Sequence, residues 1–459
     1  MRQTQWHSSC LEKTCQPNRV VELFLKLIPK NIDSQVKLLD SHFTRNRKLT
    51  FAKLIVLVLS LVASGKDQGV SVKLTEFFRG ARRCGLWHDA NAPNRSNITR
   101  GRKKVPWTVF QDILSRAVTL ANDLWPRDDS YLWNKMSVYA FDGSKFCLPA
   151  TAELRAEFDP RSGLENSGKG HYPQCLVMTA YDVFRQLPVA RAVGTINSSE
   201  RDLAQSLLSH IPQNSVLLFD RGFPSYPFIR HLRENHRGYF IFRCPAQSTF
   251  PAVEEFIKGG RDEDFIILTP SSNFIHRTRV KERKKAPVIQ LRVIRLKNPD
   301  GTLSVLLTNL LNQKRFLKEQ IINLYFRRWA IEGHYRNEKA VLGIEQFHGK
   351  TSNSIRQELF AALIMTVIAR TLMVLASQSL DSDAGECQFK NAILVLASEA
   401  AILVPDNPEK AAAIFSEILE QIAAVRYHRP KKHRPSQPRV TKRAHNKWCN
   451  SRPGKLANA

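Results

Sequence analysis

Apolar residues in the first 130 residues recur at the spacing of amphipathic helices. Helix-period runs lie at residues 20–28, 51–62 and 109–124, and Pro29 would end the first of them. The pattern therefore predicts a mostly helical N-terminal region.

From about residue 136 the pattern changes to short apolar runs of the kind that form strands. Two helical stretches, 199–210 and 226–234, lie among them, and Ser198 or Ser199 could cap the first of these helices. Sequential strands joined by crossover helices predict an α/β core with a mixed sheet. The predicted strands are residues 137–141, 174–181, 188–193, 215–219 and 238–243.

Residues 245–311 read as a β-rich, basic insertion. Strand-like runs at 289–296 and 303–308 are joined by the turn sequence Asn298-Pro299-Asp300-Gly301, and residues 277–285 hold six cations and one acid. Asn312 then offers an N-cap for one long helix from about 314 to 341, and further helices follow to about 425.

The predicted organisation has six parts, α+β overall. They are a helical N-terminal domain (1–130), the first part of the α/β core (131–244), the β-rich insertion (245–311), the second part of the core (312–380), C-terminal helices (381–425) and a basic tail (426–459).

The charge of the chain indicates a polyanionic partner. Its 459 residues include 69 Lys and Arg against 41 Asp and Glu, a net charge of +28. So large an excess repels itself unless phosphate offsets it, although a secreted or ribosome-associated basic protein would share it. Residues 94–104 hold five cations and no acid, which suits either a solvated loop or a DNA-contacting loop of an N-terminal DNA-binding domain at residues 1–130.

The basic tail has a composition that does not form a core. Residues 426–459 contain 11 Lys and Arg, no acid and several prolines, so we expect disorder until binding. Nonspecific contact with nucleic acid is favoured over an inert solubilising tail.

Cysteine usage and hydropathy favour a cytoplasmic protein. The eight cysteines are scattered without a Cys-x-x-Cys pair, and the N-terminus has no apolar signal core. The apolar run 359–376 contains Arg370 and is interpreted as a buried helix, so no membrane segment is expected.

Three carboxylates are the candidate catalytic and metal-binding residues. Asp142 and Asp220 follow apolar strands, whose ends meet at one edge of an open sheet, and Glu332 lies on the long helix. Three carboxylates brought together repel one another unless divalent cations neutralise them, and Mg²⁺ prefers such oxygen ligands. Two such ions can hold the attacking and leaving oxygens of a phosphoryl displacement.

The long helix also carries a row of candidate phosphate-binding groups. At about 100° per residue, Tyr325, Arg328, Glu332 and Lys339 share a stripe about 60° wide, with Arg336 at its edge. Glu338 points roughly the other way. A solvated, salt-bridged face is the ordinary alternative. Trp329, beside the stripe, is assigned to the core, with base stacking as the alternative.

These motifs, in this order, resemble the insertion-sequence-four family of bacterial DDE transposases. The spacing Tyr325-x2-Arg328-x3-Glu332-x6-Lys339 matches that family's helix signature without a gap. Asp142-Gly143-Ser144 is similar to its first acidic motif, and Asp220-Arg221-Gly222-Phe223 to its second. The resemblance covers about residues 136–380.

The resemblance implies a ribonuclease-H-like catalytic core and a cut-and-paste transposase. It implies that Asp142, Asp220 and Glu332 ligate two Mg²⁺ ions, with Mn²⁺ as a substitute. It further implies double-stranded DNA as partner, at transposon ends and target, with a homodimer in the synaptic complex and a nucleoid-associated location in a bacterium. Tyr325, Arg328 and Lys339, together with Arg336, would bind the DNA phosphates.

Two other functions remain open from the residues. A nuclease or Holliday-junction resolvase on the same core would cut strands without joining them. A non-catalytic DNA-binding relic would bind ends without cutting, although all three carboxylates are retained.

Overall fold

A computed structural model of the chain describes residues 17–30, 42–43, 49–64, 69–88, 91–159, 172–270, 287–297, 301–378 and 385–427. The predicted basic segment 277–285, most of the 298–301 turn and the predicted tail from residue 428 lie outside the described residues.

Within these ranges the helices are α1 (Pro17–Leu25), α2 (Phe51–Ala63), α3 (Val70–Arg83), α4 (Arg95–Arg102), α5 (Thr108–Leu124), α6 (Ala152–Phe158), α7 (Glu200–Leu207), α8 (Tyr226–Asn235), α9 (Pro251–Lys258), α10 (Lys318–Phe326), α11 (Ala330–Arg336), α12 (Ser352–Gln378), α13 (Phe389–Ser398) and α14 (Pro408–Ala424). The strands are β1 (Ser137–Cys147), β2 (Gln174–Asp182), β3 (Leu187–Thr195), β4 (Ser215–Phe219), β5 (Tyr239–Pro245), β6 (Glu263–Leu268), β7 (Ile289–Lys297), β8 (Leu303–Thr308), β9 (Glu386–Cys387) and β10 (Arg426–Tyr427).

The chain divides into two compact units. Unit 1 comprises Met1–Pro126, Lys145–Cys175 and Arg336–Ala459, and unit 2 comprises Arg127–Ser144 and Leu176–Tyr335. The six-part division from the sequence remains a prediction.

An eight-stranded mixed sheet, in the order β3-β2-β1-β4-β5-β8-β7-β6, confirms the predicted α/β fold class. Its centre is parallel: Ala140 of β1 lies beside Leu218 of β4, and Phe219 of β4 beside Phe242 of β5. This arrangement agrees with the ribonuclease-H-like core that the resemblance implies. The predicted insertion does not form a separate sheet, because β8 pairs antiparallel with β5 of the core. β7 then pairs with β8, and β6 pairs with β7 at the edge of the same sheet.

Aromatic side chains fill one face of the central strands. Phe219 stacks on Phe141 and Phe242, with ring centroids 5.0 and 4.9 Å away. Phe223 and Phe228 pack against the same ring. These large buried groups contribute roughly 1.5–3 kcal/mol each, and they fix β1 at Phe141 and the end of β4 at Phe219, the positions directly before Asp142 and Asp220.

Strand β1 runs further than predicted. The sequence places its end at Asp142, but the strand continues to Cys147, so Asp142 lies within it. The pairing with β4 ends at Ala140, whereas β2 continues beside β1, where Leu148 N donates to Pro173 O at 2.7 Å. Residue 142 is therefore held by the sheet on one side only.

The predicted long helix is wrong in its start and its continuity. α10 begins at Lys318, with Leu317 rather than Asn312 at its N-cap, because Asn312 instead accepts a hydrogen bond from Arg315 N in a preceding turn. A 3₁₀ turn (Arg327–Trp329) separates α10 from α11, and a π-helical turn (Asn337–Val341) follows α11. Since each change of helix type alters the angle per residue, the single 100° stripe does not extend to Lys339.

The basic stretch 94–104 is mostly helix α4 rather than a loop. Asn94 caps it by accepting a hydrogen bond from Ser96 N, and Ile98 and Arg102 form its buried face. The guanidinium of Arg102 donates to Glu358 Oε1 at 2.8 Å and to Gln357 Oε1 at 3.0 Å. The side chain of Arg102 is thus bound to α12, whereas Arg95 and Arg100 are exposed.

Helix α12 is the centre of unit 1. In the part of the chain that the structure describes, it is the one helix long and apolar enough to cross a membrane, and 89% of its apolar window is buried inside the protein. It packs against α2, α5, α13 and α14. The interpretation of this run as a buried helix is confirmed.

Candidate active site

Two of the three predicted carboxylates come from neighbouring parallel strands of unit 2. Asp220 follows Phe219, the last residue of β4, and Asp142 lies two residues beyond the last β1 position that pairs with β4. Because parallel strands end at the same edge of the sheet, both side chains reach the same region. The Asp220 turn is closed by a hydrogen bond from Phe223 N to Asp220 O at 3.1 Å.

Glu332, the third predicted carboxylate, is joined to this region through Arg328. Arg328 Nη2 lies 3.2 Å from Glu332 Oε1 and 3.9 Å from Asp220 Oδ2. The Arg328 side chain is 2% exposed, whereas Asp220 and Glu332 are each about one-third exposed. One buried guanidinium therefore lies among acidic groups that solvent can still reach.

Two tyrosines fix the acidic segments. Tyr325 Oη donates to Asp220 Oδ1 at 3.4 Å, and burial raises the pKa of Tyr325, so this phenol stays protonated and remains a donor. Tyr335 Oη lies 2.7 Å from the backbone carbonyl of Asp142, to which it donates. The sequence pattern did not identify Tyr335, because its hydrogen-bond partner is a backbone carbonyl that lies far from it in the sequence.

The pKa of Asp142 is raised by burial and by neighbouring acids. Burial, which is the largest cause, acts together with the nearby Glu332, Asp220 and Glu200 to raise the pKa of Asp142 to about 7. The Arg328 guanidinium lowers the pKa of Asp142, but the net shift is upward. For Arg328, burial alone would lower the pKa, but its anionic neighbours raise it, so the guanidinium stays charged.

Glu200 is a fourth carboxylate at this place, and sequence reasoning missed it. A methyl group placed on the Cα of Gly143 would come within 2.7 Å of Glu200 Oε1. Glu200 is the first residue of α7, where an acid is ordinary because the helix dipole favours it. The sequence alone therefore does not distinguish Glu200 from the acidic residues that commonly occupy the first turn of a helix.

The remaining predicted DNA-binding residues belong to unit 1. Arg336 is exposed at the end of α11. Lys339 lies in the π-helical turn, where its Nζ donates to Lys145 O at 2.6 Å and lies 4.6 Å from the centroid of the Phe146 ring. Lys339 therefore has local partners and is only partly exposed.

The assignment of Trp329 to the core is wrong. Its side chain is 40% exposed, and the guanidinium of Arg328 lies 5.5 Å from its ring centroid. The 3₁₀ turn at Arg327–Trp329 shifts its direction relative to a continuous helix. The base-stacking alternative remains open.

The donor chemistry fits a hard divalent cation, although the side chains do not form a closed site. The candidate ligands are all carboxylates, which Mg²⁺ prefers, and three further acids lie near enough to Asp142 to raise its pKa. Within the described residues, no three His, Cys, Asp or Glu side chains are grouped closely enough to hold a metal ion. Arg328, lying among the carboxylates, supplies the positive charge in this arrangement.

The chain is similar to known transposases. It is 25% identical over 294 residues to the transposase InsG for insertion sequence element IS4 of Escherichia coli (strain K12), a match covering 62% of each chain. The matched region thus spans less than two-thirds of that relative. Among solved structures, a piggyBac transposase synaptic complex with hairpin DNA matches with a TM-score of 0.44 and 10% identity, covering 90% of this chain and 87% of the other.

A family model described as "Transposase DDE domain" matches residues 133–368, more than half of the 459 residues. The matched range contains Asp142, Asp220 and Glu332, and the resemblance to DDE transposases is confirmed. This chain belongs to the family of transposases with a DDE domain.

Proposed function

We propose that this protein is a DNA transposase that cuts and pastes an insertion sequence by phosphodiester hydrolysis and strand transfer at terminal inverted repeats. The observation that carries the proposal is that Asp220 and Glu332 both lie close to the buried Arg328. Asp142 lies near enough to all three for their charges to shift its pKa. The membership of the chain in the DDE family supports it.

In this proposal Asp142, Asp220 and Glu332 hold two divalent cations, Mg²⁺ with Mn²⁺ as a substitute. When bound, such ions supply Lewis acidity that activates a water or a 3′ hydroxyl and stabilises the leaving oxygen. No side chain serves as a covalent nucleophile. Tyr335 holds the backbone at Asp142, and Tyr325 holds the carboxylate of Asp220, so the chain keeps the ligands oriented.

The DNA-binding assignments follow from charge and exposure. Arg328 offers a two-pronged donor suited to phosphate, and its present acidic partners lie where a scissile phosphate would have to approach. Tyr325 is assigned beside it, and Arg336 and Lys339 of unit 1 are assigned to flanking phosphates. The exposed Arg95 and Arg100 of α4 support a role for the N-terminal region in contacting DNA.

A homodimer in the synaptic complex and a nucleoid-associated location in the bacterial cytoplasm are parts of the same proposal. Both follow from a reaction that joins two transposon ends to chromosomal DNA. The net charge of +28 suits a protein that stays on a polyanion.

The test is cleavage and strand transfer on DNA carrying the sequences that flank the gene, in Mg²⁺ and in EDTA. Glu332→Gln should abolish both reactions while sparing DNA binding. Glu319→Gln is the matched control, because Glu319 lies on α10 with its side chain 70% exposed and the substitution removes the same charge. The control should react like the unmodified protein.

The outcomes separate the candidate functions. Mg²⁺-dependent nicking and joining, lost only in Glu332→Gln, supports the transposase. Cleavage without joining would instead indicate a nuclease or resolvase. Tight end binding without any reaction would contradict the proposal and indicate a DNA-binding relic.

A further inference from the structure

The first turn of α7 contacts the segment that carries Asp220. Arg201 Nε donates to Phe223 O at 3.0 Å, and Arg201 Nη2 donates to Gly222 O at 2.8 Å. Because one planar guanidinium binds two successive carbonyls, the start of α7 is held in a fixed relation to the Asp220 turn.

Glu200, the preceding residue, faces both acidic segments. Its Oε1 lies over Gly143, beside Asp142, and a Cβ on Gly222 would be 3.9 Å from its Oε2. Residue 143 has an ordinary backbone conformation, since Gly143 is not among the positive-φ residues in the described part of the chain. The absence of a side chain at 143 therefore serves to leave room for the Glu200 carboxylate rather than to relieve the backbone.

Another acid of the same turn has a different environment. Ser199 caps α7 by accepting a hydrogen bond from Asp202 N at 3.3 Å, and Asp202 points to solvent. Both acids benefit from the helix dipole, but of the two only Glu200 lies against the acidic motifs. Glu200 therefore brings a fourth negative charge to the region of Asp142, Asp220 and Glu332.

We propose that Glu200 is a fourth acidic residue of the cation-binding centre, held over Gly143 by the Arg201 contacts, and that it raises the affinity of the centre for divalent cations. This inference rests on the proposed function, since it assigns Glu200 to the centre formed by Asp142, Asp220 and Glu332.

The test measures Mn²⁺ binding to the full chain without DNA, from the loss of the free-ion signal in electron paramagnetic resonance. Glu200→Gln preserves the size of the side chain and should weaken Mn²⁺ binding by about tenfold or more, the range seen when groups that support a metal site are removed. Asp202→Asn removes the same charge from the same turn and should leave the affinity close to that of the unmodified protein.

A second variant tests the position of the carboxylate without removing it. Gly143→Ala would bring a methyl group against Glu200 Oε1, and the flexible end of Glu200 would have to move away. We expect Gly143→Ala to weaken Mn²⁺ binding when it is made in the otherwise unmodified protein. Added to a Glu200→Ala variant, the same substitution should have little further effect on Mn²⁺ binding. Equal effects in both backgrounds would contradict the assigned contact.

The controls distinguish failure of this inference from failure of the proposed function. If the unmodified protein binds Mn²⁺ and Glu332→Gln loses it, but Glu200→Gln binds normally, the inference about Glu200 is wrong and the centre stands. If Asp202→Asn weakens binding as much as Glu200→Gln, the effect is one of overall charge and the inference is also wrong. If the unmodified protein does not bind Mn²⁺, both the centre and the role of Glu200 are refuted.

Discussion

Replacement of Asp142 by Asn should stabilise the protein in a pH-dependent way. Burial and three neighbouring carboxylates raise the pKa of Asp142 from 3.8 to about 7. Between these two values the folded protein holds a proton that the unfolded chain has released. Stability therefore falls as the pH rises through this window and levels off above about pH 7.

The size of the effect follows from the shift. About three pH units at about 1.4 kcal/mol each correspond to about 4 kcal/mol of unfavourable free energy at about pH 8. Asn carries no charge at either pH, but it leaves Arg328 with one anion fewer. Asp142→Asn should therefore raise the free energy of unfolding by about 2–4 kcal/mol at about pH 8 and by about 1 kcal/mol at about pH 4.5.

The assay is equilibrium urea unfolding at both pH values, without divalent cations, with Asp129→Asn as control. Asp129 is an exposed aspartate of the same unit, so its replacement should change stability little at either pH. The assigned electrostatics would be refuted if Asp142→Asn stabilised the protein equally at the two pH values. They would also be refuted if the substitution lowered the free energy of unfolding at about pH 8. The variant should also lose Mg²⁺-dependent cleavage, so stability and activity would change in opposite directions.

Three further perturbations test other contacts of the site. Tyr335→Phe removes the 2.7 Å hydrogen bond to Asp142 O and should cost about 1 kcal/mol in urea unfolding and slow cleavage; an unchanged cleavage rate would exclude a positioning role. Arg328→Met should destabilise the protein by about 2 kcal/mol without divalent cations, because it leaves the partly exposed Asp220 and Glu332 without their buried cation, and millimolar Mg²⁺ should reduce the loss. Lys339→Ala should weaken binding to transposon-end DNA and lower the slope of log affinity against log salt by about one, whereas an unchanged slope would exclude a phosphate contact.

The sheet could be predicted closely where apolar runs are bounded by turn residues. The strands at 215–219 and 303–308 have the predicted limits, and Ser199 caps α7 as one of the two expected residues. In these segments the local pattern and the tertiary environment favour the same structure.

Prediction failed where tertiary contacts override local pattern. The side chain of Asn312 was expected to start a helix, but its hydrogen bond to Arg315 N closes a turn instead. Trp329 was expected in the core, and the 3₁₀ turn that exposes it has no local sequence signal. The order of the motifs in the sequence was enough to propose Asp142, Asp220 and Glu332 as site residues. Glu200 could be identified only from the folded structure, because its contact with Gly143 joins residues far apart in sequence.

The central helix α12 has a consequence for how the chain is synthesised. It is apolar on nearly all sides, and two of the helices that cover it, α13 and α14, are encoded after it. During translation α12 therefore leaves the ribosome before its full cover exists, with only the helices encoded before it, among them α2 and α5, available to shield it. A chain that stops before Phe389 would retain a 27-residue apolar helix with one side open to chaperones, membranes or other copies of itself. The C-terminal helices thus complete the cover of α12 in the finished protein, independently of any part they play in binding DNA.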